Sequence, residues 1–172
     1  MFRDQSLTPT EAARLASLGF LAEAPRHYGD LALEVRHFTS RIIGPSLDLM
    51  GTSLEALRLE GLVAAIEGQG MSDNATLRLT EAGEAALEGL LKAKLKGVAS
   101  ELNRLALLLK LRFLHHLAPA DQAAQLAGIV SALEKELALL RELRKAPAPA
   151  LFLDWIDQDI ASTLARRAML GR

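Results

Sequence analysis

The stretch from Gly61 to Thr80 constrains this chain more than any other. Two short apolar runs, Val63 to Ile66 and Thr76 to Leu79, flank the loop Gly68-Gln69-Gly70-Met71-Ser72-Asp73-Asn74. Glycine and asparagine supply the backbone conformations that a chain reversal needs, so the segment predicts a β-hairpin. Its surroundings are helical. Upstream, Met50, Leu54 and Leu57 recur at i, i+4 and i+7, and Gly61 closes the run. Downstream, Thr80 stands before Glu81-Ala82-Gly83 as a helix cap. The fold must therefore hold one small hairpin between helices.

The rest of the chain reads as helix. It contains one Trp, one Tyr and five Phe, so Leu and Ala must fill the core, and both are strong helix formers. Thr8-Pro9-Thr10-Glu11 gives a capping hydroxyl, a first-turn proline and a reciprocal glutamate. Leu15, Leu18, Phe20 and Leu21 follow, and Pro25 ends that helix. A second helix is expected from Tyr28 to Phe38, with Leu31, Val35 and Phe38 on one side. A third follows Gly44-Pro45-Ser46. Three helices and then a hairpin is the order of a winged helix. Beyond Thr80 a helix is expected through Lys96, with Gly97 as a break. From Val98 to Leu117 one stripe holds Val98, Leu102, Leu105 and Leu109, and a second holds Leu107, Leu108, Leu111 and Leu114. A helix so widely apolar needs cover on more than one side. Pro119-Ala120-Asp121 opens a helix whose Leu126, Ile129, Leu133, Leu137, Leu140 and Arg144 form a coiled-coil-like seam ending in a charge. After Pro147 and Pro149 a last helix carries Phe152, Ile156, Ile160 and Leu164, with Trp155 beside them. The expected class is mainly α with a small β-hairpin wing. Residues 1–80 are expected to form a winged helix-turn-helix unit and residues 81–172 a helical one.

Several chemistries are not expected. The chain has no cysteine, which removes disulfides, thiolate metal sites and cysteine nucleophiles, and points to the cytoplasm. Arg3, Asp4, Glu11 and Arg14 interrupt the N-terminal stretch, so no signal-peptide apolar core is expected. The longest uncharged run, Gln122 to Leu133, is too short to span a bilayer. His115 and His116 next to Asp121 raise the question of a metal. Neighbouring residues on a helix point roughly 100° apart, so the pair reads as surface rather than as ligands. Asp154, Asp157 and Asp159 suit a helix N-terminus better than paired catalytic carboxylates, with no histidine, serine or phosphate loop to support them. No enzyme, metal or cofactor is expected.

The combined segment Leu57-Arg58-Leu59-Glu60-Gly61-Leu62-Val63 and Leu77-Arg78-Leu79-Thr80-Glu81-Ala82-Gly83 resembles the PadR-like winged-helix regulators, including their AphA-like members. The run from Leu18 to Leu31, through Pro25-Arg26-His27-Tyr28, is similar to that family's first helix junction. Lys110-Leu111-Arg112-Phe113-Leu114 is similar to its dimerisation region.

The resemblance implies a homodimeric transcription regulator, a repressor, on double-stranded DNA with a pseudo-palindromic operator. Its third helix would lie in the major groove, where base edges are distinguishable. Thr52 and Ser53 would then face bases or phosphates, and Ser46 would offer a hydroxyl at the helix start. Arg26, Tyr28, Arg41, Arg58 and Arg78 would meet the backbone. Dimerisation would use Leu102, Leu105, Leu109, Phe113, Leu133, Leu137, Leu140 and Trp155. Apart from the resemblance, Trp155, Phe152 and Phe113 are aromatics at helical spacing that read as core, the alternative being a small-molecule effector pocket between the C-terminal helices. Two features depart from the pattern. Gly51-Thr52 replaces the family's Tyr-Pro pair, and residues 1–80 hold seven arginines, no lysine and ten acids. Phosphates must approach a domain of net negative charge, so the alternative is a winged helix that binds protein instead.

Overall fold

The chain is described by a computed structural model that covers residues 7–43, 50–67 and 75–171. Helix α1, Pro9–Glu23, starts as its sequence requires. The Glu11 amide donates to the Thr8 hydroxyl, and the Glu11 carboxylate accepts from the Thr8 amide at 2.7 Å. Ala12, Ala13, Leu15, Ala16, Leu18, Phe20 and Leu21 are all buried. A helix buried on so many sides is the centre of its domain. Its alanines let neighbours approach closely, and α2 (Tyr28–Ile43), α3 (Met50–Leu59), α4 (Glu81–Lys92) and α5 (Glu101–Phe113) all pack on it.

The wing strands are β2, Val63–Glu67, and β3, Thr76–Leu79, paired antiparallel with an irregularity between Ala65 and Glu67. A third strand, β1 at Arg26–His27, joins the other edge of β3, giving the order β1-β3-β2. Arg26 lies opposite Leu77 and His27 opposite Thr76. Two residues carry no period, so nothing in the sequence marks this strand. The second helix also runs past Phe38 to Ile43.

One knot joins α3, the sheet and α4. Gly61 ends α3 with φ +73°, a conformation that a Cβ disfavours. The Thr80 hydroxyl donates to the Gly61 carbonyl at 2.7 Å and accepts from the Gly83 amide at 3.1 Å, while the Thr80 amide donates to the Leu62 carbonyl. Gly83 packs so tightly on that same Leu62 carbonyl that a side chain there would overlap it. This accounts physically for the Gly61 and Leu-Thr-Glu-Ala-Gly signals.

After Thr80 the helix stops at Lys92 rather than Lys96, and Val98 precedes α5 instead of lying within it. The Ser100 hydroxyl, accepting from the Asn103 amide, begins α5. One apolar cluster runs from Leu7 to Leu117 and includes Leu87, Leu91, Leu105, Leu109 and Phe113. Phe113 meets Phe20 edge-on, ring centroids 5.3 Å apart. Arg112 lies over the Phe20 ring at 4.8 Å and pairs with Glu23.

Leu114–His116 form a 3-10 turn. The His115 and His116 ring centroids nevertheless lie 4.1 Å apart, so the expectation that the two side chains diverge is corrected. Among the described residues, no group of three or more His, Asp or Glu is placed to hold a metal ion.

Helices α6 (Pro119–Lys145) and α7 (Ala150–Leu170) form an antiparallel hairpin, with Arg144 paired to Asp157 and Arg167 to Glu134. Its inner seam buries Ile129, Leu133, Leu137, Ile156 and Thr163. Lys110, 1% exposed, ties α5 to both neighbours. Its ammonium donates to the Leu91 carbonyl at the end of α4 and to Gln125 of α6. Among the described residues no helix is long and apolar enough to cross a membrane.

Candidate nucleic-acid interface

The winged-helix order places α3 on the outside of the N-terminal domain with its inner side fixed. Leu54 and Leu57 are 1% and 0% exposed against α1 and α2, which holds the helix by its apolar stripe. Glu55, Arg58 and Leu59 point outward. Thr52 and Ser53 belong to the first turns of α3, where the backbone alone is described. Ser46 and the wing loop lie outside the described residues.

The arginines divide into two groups. Arg14 is paired with Glu60. Arg26 bonds Glu34 at 2.8 Å and Glu23 at 3.4 Å, and its Nε donates to the Phe20 carbonyl. Its charge is spent on fixing the β1 junction to α1 and α2. Arg41 at the end of α2, Arg58 in the last turn of α3 and Arg78 on β3 are exposed and paired with none of the described residues. These three cations can meet phosphates without breaking an internal bond.

Tyr28 also serves the scaffold. It is half-buried against the core, and its amide donates to the Ala75 carbonyl at 2.9 Å. The Thr76 hydroxyl and His27 Nδ1 lie 3.2 Å apart. Together these contacts lock the start of α2 to β3, so the position of the wing and the position of the helix-turn-helix are linked.

The eight residues expected at a dimer interface are not gathered in one place. Leu105, Leu109 and Phe113 lie in the core shared with α1, and Leu133 and Leu137 lie between α6 and α7. Leu102 and Leu140 are half-buried. Trp155 is 70% exposed on α7. Phe113 is core, as read first, turned in against Phe20, while Phe152 and Trp155 are exposed on α7, so the three do not line the alternative pocket. A cleft of about 600 Å³ lies elsewhere, between α5 and the α6–α7 hairpin. Leu107, Leu108 and Leu111, the second stripe of the sequence reading, form its α5 wall. Arg104 and Arg166, which that reading did not single out, also line it. They carried no motif, and only the packing brings them to one cleft.

Residues 2–171 match the family model described as "Putative AphA-like transcriptional regulator". No curated protein matches the chain.

Proposed function

Because the chain belongs to the AphA-like family of transcriptional regulators, we propose that it is a sequence-specific DNA-binding repressor that works as a cytoplasmic homodimer. Residues 1–80 read the DNA and residues 81–172 hold the two copies together. The observation that carries this reading is the outward face of α3. Leu54 and Leu57 hold the helix against α1 and α2, with Arg58 exposed on its last turn and Arg41 of α2 and Arg78 of β3 also exposed. In that arrangement α3 enters a major groove, and the arginines neutralise backbone phosphates on either side. A two-fold dimer then reads a pseudo-palindromic site.

Arg26 is an internal tether in this reading, and Tyr28 approaches DNA through the backbone it anchors. Thr52 and Ser53 of α3, together with Ser46 earlier in the chain, supply the polar contacts. Base-specific forks from arginine to guanine are few, so discrimination rests on those hydroxyls and on DNA shape. An effector bound beside the helical hairpin would shift the spacing of the two reading domains.

A gel shift against the fragment upstream of the chain's own gene, at low and moderate salt, tests the reading. A retarded band that survives excess random DNA supports it. Glu55 beside Arg58, and Leu33 and Leu59 at 64% and 81% exposure, favour a protein partner as the second reading. No preference for any genomic fragment even at low salt would select that reading.

A further inference from the structure

A recess of about 430 Å³ opens between α2 and the end of α5, sharing no residue with the cleft beside the helical hairpin. It has the size of a small-ligand site, roughly 300–1,000 Å³. One wall is a single stripe of α2, Glu34, His37, Phe38, Arg41 and Ile42, at three- and four-residue steps. Phe20 of α1 lies at its base, and Arg112 of α5 completes the lining. Phe20 and Phe38 meet edge-on with ring centroids 6.1 Å apart. Phe38 is only half-buried, so part of its apolar surface stays open to the recess.

The scaffold fixes the charges of this recess. Glu23 pairs with Arg112 at 3.1 Å and with Arg26 at 3.4 Å, and Glu34 pairs with Arg26 at 2.8 Å. Arg112 also rests over the Phe20 ring at 4.8 Å. It is held in place through one bond to Glu23, and a guanidinium has further donors to offer. Arg41 is exposed and paired with none of the described residues. Arg26, Arg41 and Arg112 outnumber Glu23 and Glu34, so the group is positive, and exposed His37 adds a ring nitrogen.

Such a donor set selects its anion. A carboxylate is satisfied by one guanidinium fork, whereas a phosphate monoester brings about two negative charges and three acceptor oxygens. Two arginines on different helices, with an imidazole between them in the lining, match the larger anion. Phe38 and Ile42 in the same stripe call for a planar apolar group on the same molecule, and a base on an aromatic ring supplies that contact. Glu34 on the same wall accepts from an amino or hydroxyl group of that portion.

We infer that the recess between α2 and α5 binds a nucleoside monophosphate, its phosphate among Arg41, His37 and Arg112 and its base against Phe38 and Ile42. The regulatory consequence rests on the DNA reading proposed above. Arg41 is one of the three cations assigned there to DNA phosphates, so an occupied recess withdraws it and the nucleotide releases the operator. A DNA backbone phosphate is the other source of the same anion, but a duplex keeps its bases stacked and offers Phe38 nothing.

The test is isothermal titration calorimetry of the full chain at low salt with adenosine monophosphate, inorganic phosphate, benzoate and a short DNA duplex. Adenosine monophosphate should bind at least about tenfold more tightly than inorganic phosphate, the gain from one base–aromatic contact, and more tightly than benzoate. Arg41→Gln and Arg112→Gln should each weaken it about tenfold. Phe38→Leu should bring it down to the affinity of inorganic phosphate and leave duplex binding unchanged. Arg141→Gln, at an exposed position of α6, should change nothing. Arg41 is exposed, so Arg41→Gln keeps the fold and decides the matter even where Phe38→Leu loses its circular dichroism. Nucleotide binding no tighter than that of phosphate or benzoate, or unmoved by Arg41→Gln, overturns the site. A chain that binds the nucleotide but no DNA keeps the site and overturns the repressor reading. A chain that binds DNA through Arg41 but no nucleotide overturns the site alone.

Discussion

Lys110 offers a direct test of how α4, α5 and α6 are joined. Its side chain is 1% exposed and its ammonium donates to the Leu91 carbonyl and to Gln125, with no carboxylate bonded to it. Lys92, Glu88 and Asp121 form their own ion-paired group at the same junction. Burial alone pushes Lys110 down from 10.5 to about 8. The sign follows from proton counting. Between pH 8 and about 10.4 the unfolded chain keeps a proton that the folded chain has released, so stability rises with pH across that window. A displacement of more than two pH units corresponds to a gain on the order of 3 kcal/mol, complete near pH 10.5. Below pH 8 both states are charged and the cost of burying the ammonium is fully present. Lys110→Met removes the titration and leaves the carbonyl of Leu91 without that donor. Urea unfolding of wild type and variant at pH 7, 8, 9 and 10 isolates the effect, since all other groups titrate alike in both. The wild type should gain on the variant by roughly 1 kcal/mol per pH unit above pH 8. Parallel curves, with a difference constant to about 0.5 kcal/mol, would refute the account.

Three further outcomes are expected. With Arg41, Arg58 and Arg78 serving as the phosphate contacts, about three per protomer, the logarithm of DNA affinity should fall against the logarithm of salt with a slope near −5. Arg58→Ala should flatten that slope and weaken all sequences alike, whereas Thr52→Ala with Ser53→Ala should erode only the preference for operator, both read by fluorescence anisotropy over a salt series. Phe113→Ala empties a fully buried site against Phe20 and should cost about 3–5 kcal/mol in urea unfolding. Gly83→Ala drives a methyl into the Leu62 carbonyl and should cost roughly 1–3 kcal/mol, the same substitution at the exposed helical Gly89 being neutral or stabilising.

What was legible in the sequence was local. The Thr8 and Thr80 caps, the Gly61 stop, the seam of α6 and the hairpin strands each depend on residues close in the chain, and each stands where the pattern puts it. What was not legible depends on distant partners. Strand β1 exists because β3 offers Arg26 and His27 a free edge. Phe113 reads as one member of an apolar face, and only Phe20, far upstream, decides that this face turns inward. Arg26 looks like a free cation until Glu34 and the Phe20 carbonyl are brought to it. Periodicity assigns a residue to a face, but it does not name what the face will meet. The extension of α4 to Lys96 failed for another reason: Ser100 caps a new helix, and residues 93–100 form the connection it needs.

The central position of α1 has a consequence for the order in which the chain is made. On a ribosome, Leu15, Leu18 and Phe20 emerge early, but Phe113 and the other residues of α5 that cover them come much later. At ~5–20 residues per second, the stretch between Thr80 and Phe113 takes several seconds to synthesise. Throughout that interval the first helix has companions in α2, α3 and the wing but lacks one wall, and its apolar side is open to chaperones and to neighbouring nascent chains. The α6–α7 hairpin has no such wait, since its halves leave the ribosome one after the other. Premature termination anywhere before Phe113 would thus release a sticky fragment, whereas termination soon after Leu117 would release one whose first core is already closed.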